Sequence, residues 1–102
     1  MTGTNTPSRR DVMQLLDEFN MPHSSVGFPY LVDAILRVCE GGAGDESRKI
    51  MSLYDELAEQ HNTKPVRIER AIRTMLNRVS CSRTNGQFIY WAADKLLYGY
   101  DE

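Results

Sequence analysis

The chain lacks most of what would announce a chemistry. It has two cysteines in 102 residues, Cys39 and Cys81. They form no CxxC pair and read as reduced structural thiols. It has two histidines, His23 and His61, too far apart in sequence to suggest a metal site. No Ser-His-Asp or Cys-His arrangement can be argued, so no enzyme, no cofactor and no metal ion is implied. The segment EGGAGDES, residues 40–47, is acidic but lacks the alternating acids and closing glutamate of a calcium loop, and reads as a flexible solvated linker. No apolar run exceeds a few residues, which excludes a membrane span. The polar stretch from Met1 to Arg10 contains no apolar signal core, so a cytoplasmic protein is expected. Strand-like alternation is absent, and Asn85-Gly86 precedes a helical stretch instead of joining two strands. No internal repeat is visible.

What is present is ordinary globular composition, 41% apolar and 25% charged, in a length that suits one small domain over residues 1–102, with residues 1–6 expected to be disordered. Apolar residues recur at helical spacing throughout. Helices are expected from about Pro7 to Phe19, with Thr6 as cap and Val12, Leu15, Leu16 and Phe19 on one face. Four more are expected from about Pro29 to Cys39, Glu46 to Gln60, Pro65 to Val79 and Gly86 to Tyr98. Their inward sets are Leu31, Ala34, Ile35 and Val38; then Ile50, Leu53, Tyr54 and Leu57; then Ile68, Ile72, Met75, Leu76 and Val79; then Phe88, Ile89, Ala92, Leu96 and Leu97. Gly41-Gly42 and Gly99 end the second and fifth. Such short helices are marginal alone and must pack on one another. The expected fold class is all-α, a compact bundle of about five helices. Tyr90 and Trp91 cannot both point inward beside Phe88 and Ile89, so one of them is expected at the surface, where it could anchor self-association.

The net charge of −2 hides a sharp asymmetry. From Lys64 to Arg83 there are six basic residues and one acid, Glu69, a net of +5, so the remainder of the chain carries −7. Advancing about 100° per residue from Arg67, the apolar set of the fourth helix clusters at about 120°, while Arg67, Arg70, Arg73, Thr74, Asn77 and Arg78 occupy an arc centred at about 300°. One stripe can be buried while arginines project from the other. Solvated faces usually interleave acids for i,i+4 pairing; this one does not. The polar turn His61-Asn62-Thr63 separates the third and fourth helices, as in a helix-turn-helix spanning about 49–79, in which the second helix enters the major groove with its N-terminal residues on base edges. Arginine suits that task because its fork engages guanine O6 and N7 together. Arg67, Arg70 and Arg73 are the candidate base readers. Glu69 either accepts from a cytosine amino group or orients Arg73 four residues on. Thr63, Lys64, Thr74 and Arg78 are the candidate phosphate contacts. His61 is either a phosphate neighbour or an ordinary turn residue.

The string NTKPVRIERAIR, Asn62 to Arg73, resembles the helix-turn-helix of the sporulation response regulators known as the stage-zero sporulation protein A family. The strings GFPYLVDAI (Gly27 to Ile35), LYDELAEQHNT (Leu53 to Thr63) and TNGQFIYWAADKL (Thr84 to Leu96) look like further helices of its effector domain, in the same order. The resemblance spans roughly residues 12–97. It implies an all-helical domain that binds double-stranded DNA at short boxes of the TGTCGAA type, often as tandem copies, a homodimer on adjacent sites. By position, Arg67, Glu69, Arg70 and Arg73 correspond to the base-reading face.

Three departures stand out. The family's receiver domain does not fit into 102 residues; the sequence is either a stand-alone effector domain, which is the expectation, or a fragment of a longer chain. The family has a longer segment, with an extra short helix, between recognition helix and last helix, and that segment is associated with RNA polymerase contact. Here Ser80 to Thr84 is nearly all of it, which favours simple occupancy or repression over activation. Pro65 stands where the family usually has a small residue, and suits a first helical turn. The competing reading is a protein-interaction module, an antagonist that pairs with a related regulator or with an RNA polymerase subunit.

Overall fold

A computed structural model describes residues 7–41 and 46–99, with side chains for 7–40 and 52–99. Five helices make up its architecture, and no strand occurs among the described residues. They are α1 (Arg9–Asp17), α2 (Gly27–Gly41), α3 (Glu46–Gln60), α4 (Pro65–Arg78) and α5 (Asn85–Tyr98). The expected positions of all five hold, with shifts at the ends. Thr6 and the linker residues 42–45 lie outside the described residues, as does the side chain of Ile50.

Local chemistry explains the helix ends. α1 starts two residues later than the sequence suggested, because Ser8 and not Thr6 is the cap. Ser8 Oγ accepts from the Asp11 amide at 3.2 Å and its own amide donates to the Asp11 carboxylate at 3.0 Å. Pro7 is therefore outside the helix. At α5, Thr84 and Gln87 form the same reciprocal pair, so Asn85 is already helical. Gly99 adopts φ 70°, the left-handed conformation that suits glycine at a helix C-terminus. α2 begins two residues before Pro29 because Gly27 and Phe28 supply its first turn.

α2 is the central element, packed against all four others. Leu31, Val32, Ala34 and Ile35 are fully buried on it, and around them gather Val12 and Leu16, Leu57, Ile68 and Ile72, Phe88 and Ile89. The radius of gyration, 12.8 Å, is close to the ~13 Å of a well-packed chain of this length. Tyr90 is buried, whereas Trp91 is half-buried: Phe19 and Phe88 flank one side and the Arg83 guanidinium lies 4.5 Å from its ring centroid. Of Tyr90 and Trp91, Trp91 is therefore the one that reaches the surface in part, and the exposed aromatic of α5 is Tyr98.

Candidate nucleic-acid interface

α3, a turn at residues 61–64 and α4 follow one another in the order expected of a helix-turn-helix. Asn62 takes φ 56°, a left-handed conformation asparagine tolerates, and the Thr63 amide returns to the Ala58 carbonyl at 2.8 Å. Lys64 is the N-cap of α4 and makes no side-chain cap bond; Pro65 follows at the first helical position. Ile68, Ile72, Met75 and Leu76 are buried, so the face predicted to enter the core does so. The opposite face is left to solvent. Lys64, Arg67, Arg70, Arg73, Thr74, Asn77 and Arg78 are exposed, and Thr63 is half-buried.

The exposed face has two flanks. Arg67, Arg70, Thr74 and Arg78 line a shallow groove with Ser24, Ser25 and Tyr30. Glu69, Arg73 and Asn77 face a second depression, walled by Tyr54 and the 81–86 segment. Among the described residues, Lys64, Arg67, Arg70 and Arg78 have no ion pair or side-chain hydrogen bond. Arg73 differs: its guanidinium lies 3.3 Å from the Glu69 carboxylate. Of the two roles open to Glu69, the structure contains the i,i+4 pair.

Three contacts fix where α4 sits. First, α2 starts so close to α4 that a Cβ built on Gly27 would fall 2.5 Å from the Ala71 carbonyl oxygen. Only glycine allows that approach. Second, Asn85, buried at the first position of α5, donates to the Glu69 backbone carbonyl at 2.9 Å and to the Tyr54 hydroxyl at 3.2 Å. One side chain thereby joins both helices of the motif to α5. Tyr54 is held protonated to higher pH than usual, chiefly by burial, with the Asn85 hydrogen bond opposing.

The third contact is a polar hub that sequence reasoning missed. Asp33, a buried acid on the central helix, engages Arg9 of α1, the amide of Gln60 at 3.3 Å and His61 Nε2 at 2.7 Å. Tyr30 packs its ring against His61 with centroids 4.9 Å apart. His61 thus has a structural part: it is the point where the turn is pinned to the core. A lone acid between apolar neighbours in α2 was the available signal, since a buried carboxylate requires partners. Arg37 extends the hub, donating to the Gln60 side-chain oxygen Oε1 at 3.1 Å and pairing with the Glu56 carboxylate at 3.2 Å.

Among the described residues no group of three or more histidines, cysteines or acids gathers as a metal site, and no helix is long and apolar enough to cross a membrane. No match to a curated protein was found. Residues 12–90 match the family model of the sporulation initiation factor Spo0A C-terminal domain. The match covers the arginine-bearing helix, the helix that supports it and the core that holds both. The chain therefore belongs to this family of DNA-binding effector domains, and is a DNA-binding regulator.

Proposed function

We propose that the protein is a sequence-specific reader of double-stranded DNA that regulates transcription by occupying its sites, with α4 in the major groove. The observation that carries this is the outer face of α4, where Arg67 and Arg70 stand free at the N-terminal half of the second helix of a helix-turn-helix. Their forks are available for guanine O6 and N7. Glu69 holds Arg73 in one orientation, so Arg73 enters the groove pre-set; the pair can open to give a cytosine amino group an acceptor. Thr63, Lys64, Thr74 and Arg78 lie at the edges and ends of the same face and contact phosphates. The −7 carried outside residues 64–83 repels the duplex elsewhere, which orients the approach. Connector residues 79–84 hold no helix between α4 and α5. That leaves little surface in that segment for engaging polymerase, and supports action by occupancy.

The test is selection of bound duplexes from random sequence, followed by titration of the recovered site. Arg70→Ala is expected to cost about 1–3 kcal/mol and relax preference at one position, whereas Lys64→Ala weakens all sequences alike and lowers the salt slope by about one. Failure to recover any motif at low salt, with binding to a related regulator or polymerase subunit instead, would overturn the reading in favour of an interaction module.

A further inference from the structure

Three large apolar side chains are exposed among the described residues: Val26, Val66 and Tyr98. Val66 and Val26 both line the groove that holds Arg67, Arg70 and Arg78, and Val66 is the one carried by α4 itself. It is the second residue of α4 and is 57% exposed. On the helical wheel it falls at about 260°, between Arg73 at about 240° and Arg70 at about 300°. It thus lies within the presented face, one turn N-terminal to Arg70, where a helix-turn-helix brings its second helix closest to base edges. The fold does not account for it. Val66 is absent from the buried core and from the side chains packed against that core. A β-branched residue is also a poorer choice for an exposed helical position than its straight-chain alternatives. The other α4 residues on that arc, Arg67, Arg70, Arg73, Thr74, Asn77 and Arg78, carry hydrogen-bonding side chains, and Val66 offers only methyls.

We infer that Val66 is a specificity residue that packs against the C5-methyl group of a thymine, and so adds an apolar reading to the arginine readings of the same helix. The major groove contains that one apolar group; everything else on its floor is a donor or an acceptor. Residues four apart on a helix face are separated by about 5–6 Å, and successive bases by about 3.4 Å. The thymine therefore lies within two base steps of the base read by Arg70. The inference rests on the groove docking of α4 proposed above.

Replacing thymine by uracil deletes the methyl and nothing else. The probe is a short duplex carrying the site recovered by random-sequence selection, synthesised with deoxyuridine at each thymine in turn. For the unaltered protein, one substitution is expected to weaken binding about fourfold, the worth of one buried methyl, within two steps of the position whose preference Arg70→Ala relaxes. For Val66→Ser that penalty should vanish, while Tyr98→Ser, exposed at the last residue of α5 and outside the groove that holds Val66 and Arg70, should retain it. Both positions are exposed, so the variants fold. If the protein binds its site, Arg70→Ala relaxes it, and all uracil duplexes bind alike, or the penalty survives in Val66→Ser, the thymine contact is overturned and the groove docking stands. If selection yields no site at all, the groove docking itself falls.

Discussion

Substituting alanine for Gly27 tests how α4 is held, and its sign alone is informative. Gly27 is the first residue of α2. At an unobstructed helical position alanine is favoured over glycine by up to about 1 kcal/mol, through lower backbone entropy in the unfolded chain. In this structure the added Cβ would lie 2.5 Å from the Ala71 carbonyl oxygen and 2.9 Å from its carbon. Ordinary contact begins at about 3.4 Å, so one backbone must retreat by about 0.9 Å. Neither side can yield by a rotamer change, because the obstacle is main chain. Overpacking of this kind typically costs about 1–3 kcal/mol, or roughly 4–24 °C in Tm for a chain of this size. Urea unfolding followed by circular dichroism should show a lower midpoint with unchanged m. DNA binding reports where the strain went. If α4 retreats, affinity for the selected site falls in the native-state population; if α2 yields, affinity is kept and only stability is lost. An unchanged or raised midpoint would refute the reasoning, since it would mean that α2 and α4 do not approach this closely.

Further outcomes follow from the polar contacts around the motif. Asp33→Ala removes the acceptor shared by Arg9, Gln60 and His61 and should destabilise by about 1–3 kcal/mol; Arg9, half-exposed, regains water, so less is lost than for a fully buried pair. Asn85→Ala breaks the bonds to Tyr54 and the Glu69 carbonyl and should lower stability by about 1–2 kcal/mol in the same unfolding assay. Glu69→Gln frees the Arg73 guanidinium from its ionic partner; broadened base preference at one position in repeated selection, with stability within about 0.5 kcal/mol of the parent, is the expected result. Cys39 has its pKa pushed up to about 11 by burial first and by Glu40 and Asp94 next. At pH 8 about a thousandth of it is thiolate. Disulfide-exchange reagents should therefore label one thiol, the half-buried Cys81, and reach Cys39 only on unfolding. Two fast equivalents would contradict the burial of Cys39.

The sequence alone determined the five helices, the all-α class and the two-faced character of α4. All three are encoded within a turn or two: the 3.6-residue spacing of Ile68, Ile72, Met75 and Leu76, the proline at the start of α4 and the glycine after α5 are local signals read without knowing the fold. The family was legible for the same reason, since its strings fall in order along one chain. Errors at helix ends came from competition between equivalent caps, as where Ser8, with Asp11 three residues on, takes the role expected of Thr6. What only the tertiary structure decided is how α4 is held and which of its charges are free. Asp33 and His61 are 28 residues apart, and Tyr54 and Asn85 are 31 apart. No periodicity links such pairs, and only packing around α2 brings them together. The same holds for Gly27, whose need for a missing Cβ is set by a carbonyl 44 residues away in sequence. Glu69 is intermediate: its spacing to Arg73 allowed a pair, and the fold, by anchoring the Glu69 backbone to Asn85, favours that pair while leaving Arg67 and Arg70 open.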